Sequence, residues 1–178
     1  MATQTLMTAE QFDQRPVEDG RRWELLDGEL IDMASSTSGH NRIALELGSR
    51  FLTFLKAYPY GVVIPETEFA LGRDRRLQPA MAVFSLEAWQ RVNEWKVPVL
   101  EIPLIAVEVV SPSESAILLN RKIKAYLDAG VKEVWIIYPD TKEIYVFDSI
   151  IARHYEVGQT LETPFLPGFS VAISDLLP

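Results

Sequence analysis

The chain has 178 residues, 48% of them hydrophobic, with 17 basic against 25 acidic side chains and no cysteine. That length favours one domain able to bury roughly 70% of its unfolded surface, and the composition argues against wholesale disorder. The missing cysteine excludes disulfides, thiolate metal sites and cysteine nucleophiles and fits a cytoplasmic protein, while a net charge of −8 argues against non-specific nucleic-acid binding, a local basic patch aside.

The N-terminal MATQTLMTAEQF lacks a basic segment followed by an apolar one, so no secretory leader is expected. Apolar runs such as Val134 to Tyr138 fall far short of the ~20 residues of a membrane span. Thr8 to Phe12 reads as a short capped helix ended by Arg15-Pro16. Trp23 to Leu26 and Glu29 to Met33 flank Asp27-Gly28, the pattern of a β-hairpin. Ser35 to Gly39 reads as a polar loop. Ile43, Leu47, Phe51, Phe54 and Leu55 then recur at helical spacing until Pro59.

Gly61 to Ile64 and Glu66 to Leu71 read as strands, followed by a polar turn at Gly72 to Arg76 and a buried strand from Pro79 to Phe84. Ser85 to Trp95 is a surface helix or loop. Pro103 to Val110 is an apolar strand carrying one acid. Glu114 to Ala129 reads as a helix closed by Gly130, and Val131 to Tyr138 as a further buried strand. Ile144 to Phe147 and His154 to Val157 alternate like the arms of a hairpin. The expected fold class is α/β (α+β): a mixed sheet flanked by helices, with an N-terminal β-hairpin.

Two residues stand out chemically. Glu108 lies inside LIAVEVVSPS, and a carboxylate on a buried strand is unfavourable unless paired or metal-bound. Either it turns outward to solvent, or it is a metal-binding or acid–base carboxylate, and apolar neighbours on both faces favour the second. Lys122 shares a helix face with Tyr126 at i, i+4, whereas Lys124 points elsewhere. A lone helical lysine is ordinarily solvated. This one lies on the helix that joins the Glu108 strand to the next.

WELLDGELIDM, His40 opening a helix, PETEF, QPAMAVF, LIAVEVVSPS, KIKAYLDAGVKEVWIIYP and LPGFSVAISDLL together resemble the Uma-two-type putative restriction endonuclease family. That bacterial group, numerous in cyanobacteria, belongs to the PD-(D/E)XK nuclease-like superfamily. The resemblance runs from about Thr8 to Leu177. It implies a single restriction-endonuclease-like domain over 1–178, DNA as substrate, and a Mg²⁺ or Mn²⁺ site built from an acid after the PD-motif proline, an acid on the next core strand and a lysine. Carried over, the strand acid is Glu108, a metal ligand and catalytic residue, and the lysine, moved to the helix, is the catalytic Lys122. Glu66 is a secondary metal-ligand match, and His40 a phosphate-binding or site-lining one.

The PD position falls on Pro79-Ala80, where the aspartate is absent. Mg²⁺ holds on through one or two carboxylates, and it lowers the pKa of bound water and neutralises charge on the scissile phosphate. Losing one ligand therefore predicts weak or absent metal binding. Three accounts are open: a naturally degenerate site, a deliberate substitution, or replacement by Glu66 or Glu68, which two-residue spacing would place on one strand face. Leu118 also stands where relatives carry an aspartate before the lysine, and the family's V-D-P-like turn is Tyr138-Pro139-Asp140 here.

Arg73, Arg75 and Arg76 are either phosphate contacts or solvated turn residues. His154 reads as structural, and Trp23, Trp89, Trp95 and Trp135 as core or interface. The functional expectation is a metal-dependent DNA endonuclease fold with impaired hydrolysis. Its alternative is an inactive interaction module, with a homodimer through sheet edges or exposed Trp as one form.

Overall fold

The computed structural model describes residues 6–16, 21–112 and 114–178. Residues 1–5 of the stretch searched for a leader, and Ser113 of the SPS motif, lie outside them. Among the described residues no helix is long and apolar enough to cross a membrane.

Helix α1 (Ala9–Asp13) starts at a capping box. The Thr8 hydroxyl accepts from Gln11 N while the Gln11 side chain accepts from Thr8 N. Strands β1 (Arg22–Leu26) and β2 (Glu29–Met33) form the expected antiparallel hairpin. Asp27 and Gly28 both take positive φ, 53° and 79°, as a turn matched to strand twist requires. Helix α2 (Ser38–Ala57) buries Ile43, Leu47, Phe51 and Leu55. It begins at Ser38, inside the stretch read as a loop, because Thr37 caps it, its hydroxyl accepting from His40 N at 3.1 Å.

Strand β3 (Gly61–Pro65) pairs with β6 (Met81–Ser85), and Gly61 is required there: a Cβ would lie 1.9 Å from the Phe84 carbonyl oxygen. The stretch from Glu66 does not continue as a strand, which corrects the expectation. Glu66 takes φ 36° and its carbonyl accepts from Gln78 Nε2 at 2.6 Å. Only β4 (Phe69–Ala70) follows, paired with β5 (Arg76–Leu77). Helix α3 (Leu86–Trp89) is a single turn capped by Ser85.

Strand β7 (Ile105–Val109) leads into α4 (Ala116–Ala129), whose N-cap is Ser115 and whose C-terminal Gly130 sits at φ 104°. Glu114 thus precedes the helix that it was expected to open. Strands β8 (Glu133–Tyr138), β9 (Glu143–Phe147) and β10 (Ala152–Glu156) follow. A terminal hairpin of β11 (Thr160–Glu162) and β12 (Ser170–Ala172), then α5 (Ile173–Leu176), close the chain; none of the three was read from the sequence.

The large sheet has the order β10-β9-β8-β7-β6-β3 and is mixed, its one parallel pair being β7 with β8, across the α4 crossover. A smaller sheet, β2-β1-β5-β4, lies beside it. Alternation along β7 divides the core. Ile105, Val107 and Val109 enter the layer shared with α2, α5 and the terminal hairpin, whereas Ala106 enters the layer shared with α4 and the smaller sheet. Glu108 has the parity of Ala106. This architecture, helices flanking more than one sheet, is the expected mixed α+β class.

Candidate functional site

Glu108 and Lys122 meet. The Lys122 Nζ lies 2.7 Å from Glu108 Oε1, and both residues are buried, at 1% and 6% exposure. The solvated reading of each is therefore overturned. The i, i+4 relation on α4 brings Tyr126 to the same carboxylate, its hydroxyl donating to Glu108 Oε1 at 2.8 Å.

Two further acids close around the ammonium. Glu24 of β1, 1% exposed, places Oε2 3.2 Å from Lys122 Nζ, and its Oε1 accepts from Gln78 N at 2.7 Å. Glu114 Oε1 stands 4.0 Å from the ammonium. Sequence reasoning passed over Glu24, although Trp-Glu-Leu-Leu carries the signal that singled out Glu108: one acid between apolar neighbours on a strand. The small sheet thus does more than cover α4; it delivers an ion-pair partner.

Two buried carboxylates and the partly buried Glu114 around one ammonium leave excess negative charge, and the titrations respond. Burial pushes Glu24 up to about 7, with Lys122 opposing and Glu108 adding to the rise. Burial also raises Glu114, again opposed by Lys122. For Lys122 burial alone would lower the value, but the Glu108, Glu24 and Glu114 charges outweigh it and hold the ammonium protonated. Tyr126 is raised well above the ordinary phenol range by burial and these same carboxylates, so it stays a hydrogen-bond donor.

A cavity of about 230 Å³ opens beside this group, and Glu108, Lys122, Ala80, Glu66 and His40 all line it. Glu66 is on the rim, with its carboxylate turned to Arg22 Nη1 at 3.2 Å and both side chains 43% exposed. Glu68 is not among the lining residues; its carboxylate feels Asp13 and Arg76 and is raised chiefly by burial. The two acids therefore do not share a strand face. His40 sits in the first turn of α2, and Leu118 also lines the cavity.

Ala80 contributes a methyl group at the wall and no oxygen donor from its side chain. Glu108 Oε1 already receives Lys122 and Tyr126. Among the described residues no group of three His, Cys, Asp or Glu side chains is placed to hold a metal ion. The donor set therefore does not fit the divalent cation that the family resemblance implies.

Other expectations resolve differently. Arg75 pairs with Asp27 at 2.7 Å and Arg76 is clamped by both Asp13 oxygens at 2.8 and 2.9 Å, so neither is held ready for phosphate. His154 gains a partner in Glu143 at 3.3 Å. Trp135 is fully buried and Trp95 is 94% exposed. A third buried carboxylate, Glu133, lies outside this group; it accepts from Trp135 Nε1 at 2.9 Å and pairs with Arg153.

The model of the Uma2 family, described as putative restriction endonucleases, matches residues 9–174. A crystal structure of a putative nuclease belonging to DUF820, from Anabaena variabilis, is similar with a TM-score of 0.82 and 21% identity, over 96% of this chain and 97% of that one. That likeness shows the fold. No curated protein matches in sequence.

Proposed function

The chain belongs to the Uma2 family of putative restriction endonucleases, and from that premise we propose that it is one nuclease-fold unit, 1–178, whose phosphodiester-hydrolysing site is impaired. One observation carries the reading. The position after the PD-motif proline is the apolar Ala80, and the Lys122 ammonium is sealed between Glu108 and Glu24 instead of facing a metal-bound water. A lysine held by two buried carboxylates at full protonation has no lone pair to take a proton from water.

The cavity's charge supports the same reading. Asp32, Glu66, Glu108 and Glu114 line it against Arg22 and Lys122, so a DNA phosphate entering without a bound cation meets net repulsion.

Plasmid nicking in Mg²⁺ or Mn²⁺ tests the reading. The native protein leaves supercoiled DNA intact, and Ala80→Asp restores an acid beside Glu108 and gains nicking that Glu108→Gln removes. Nicking by the native protein that Glu108→Gln abolishes contradicts impairment. A folded, inert Ala80→Asp variant removes the hydrolytic ancestry of the site. It would turn the account to a non-catalytic interaction module, for which the observation is the exposed Trp95, Val97 and Leu100 run.

A further inference from the structure

The edge of a β-sheet presents unpaired amides and carbonyls, and chains that stay monomeric cover or interrupt them. The β4 edge of the small sheet is covered by the chain at Val99. Ala70 N donates to Val99 O and Val99 N to Glu68 O, both at 2.9 Å. On the β3 edge of the large sheet, Glu66 N bonds inward to Ala80 O, so Pro65 turns outward a nitrogen with no proton to offer. Strand β10, at the opposite edge, carries neither proline nor lysine.

Ladder parity decides which groups β10 presents. Asp148 N donates to Ile151 O at 3.0 Å, so the bonded pairs that follow are Val146 with Arg153 and Ile144 with Tyr155. Ala152, His154 and Glu156 therefore turn their amides and carbonyls away from β9. Glu156 is satisfied within the chain: its amide donates to Gln159 Oε1 at 2.8 Å and its carbonyl accepts from Gln159 N at 3.0 Å. Among the described residues none bonds the outward groups of Ala152 and His154, and both residues are exposed.

We infer that this edge is a homodimer interface: two copies of the chain pair their β10 strands antiparallel about a two-fold axis at Arg153, Ala152 of each facing His154 of the other, and join their large sheets into one.

The register follows from what is free. With the axis at Arg153, each chain donates from Ala152 and His154 and accepts at the same two residues, so every unpaired group is used and the Gln159 cap stays in place. Such a contact is isologous and closes on itself. Side chains support it. Ile151, 53% exposed, comes opposite the partner subunit's Tyr155 on each flank of the axis, an aliphatic–aromatic cross-strand pair. Arg153 meets its own copy at the axis, but each guanidinium is drawn back onto its own buried Glu133, with Asp148 at 3.9 Å, so the like charges are answered within each chain.

Sedimentation velocity of the full chain tests the pairing. At about 100 µM the native protein sediments as a dimer that dissociates on dilution. His154→Pro removes an outward donor yet leaves the β9 ladder whole, because that amide takes no part in it. It weakens self-association about tenfold or more, as the loss of one hydrogen bond from each chain requires. Ile151→Lys, at an exposed position, also weakens it, and Trp95→Ser leaves it unchanged. A native chain that stays monomeric at this concentration overturns the inference. So does a dimer that Trp95→Ser splits, or one that a folded His154→Pro leaves intact; should the proline variant not fold, a dimer indifferent to Ile151→Lys has the same force. None of these results depends on whether Ala80→Asp cuts DNA, so the inference and the functional reading can fail separately.

Discussion

The two sides of strand β7 make opposite demands on sequence. Toward α2, Ile105, Val107 and Val109 enter an apolar layer in which Phe51 stacks on Phe169 at 4.5 Å and lies 5.5 Å from Trp135. Toward α4, Ala106 is followed by Glu108, which faces an ammonium and a phenol among Ile123, Ile136 and Val134. The first side is settled by volume and the second by charge balance. Equal burial therefore does not mean equal tolerance: an apolar layer relaxes around a lost methyl group, while an ion pair that loses one member leaves a charge with nothing to answer it.

Breaking the charged side has the largest expected effect. Lys122→Met strands Glu24 and Glu108 and destabilises by about 3–5 kcal/mol, whereas neutralising both partners by adding Glu108→Gln returns part of that loss. On the apolar side of the same strand, Ile105→Ala costs about 2–4 kcal/mol and no second substitution among charged groups offsets it. Urea denaturation of the three variants checks both statements. Equal, additive losses on the two sides would erase the contrast.

A smaller effect sharpens it. Glu24 is raised from 4.5 to about 7 on folding, so between those values the folded chain binds a proton that the unfolded chain has released. The sign follows: this contribution is fully present below about 4.5 and is lost as pH rises through about 7. The slope is at most about 1.4 kcal/mol per pH unit for one proton. Denaturation midpoints from pH 5 to 8 should fall in the native protein and run flatter in Glu24→Gln. A native profile that rises across this window would mean that Glu24 enters the fold already ionised.

Much of this architecture was legible because its signals are local. The Thr8 capping box, the Asp27-Gly28 turn, the helical stripe from Ile43 to Leu55 and the stop at Gly130 each depend on a few neighbouring residues. Glu108 and Lys122 could be singled out because a charge amid apolar neighbours is improbable without a partner, and the family pattern supplied the pairing. What escaped is long-range. Glu24 lies 84 residues from Glu108, and long-range contacts that local pattern does not convey, Arg121 of α4 with Asp27, Glu29 and the Leu26 carbonyl, bring its hairpin to α4. Glu66 was misplaced because alternation presumes a continuing strand, which a positive φ interrupts. Arg75 and Arg76 looked available until the fold set Asp27 and Asp13 against them. The terminal hairpin is short, and the contact that seats it, Phe169 stacked on Phe51 of α2, is long-range and not conveyed by sequence alternation.

Calorimetric titration of Mn²⁺ into the native protein near neutral pH tests the central claim most directly. With Lys122 paired to Glu108 and Glu24, and Ala80 supplying no carboxylate, the account predicts no saturable heat up to millimolar metal. One ion bound per chain at micromolar affinity, lost in Glu108→Gln, would contradict it.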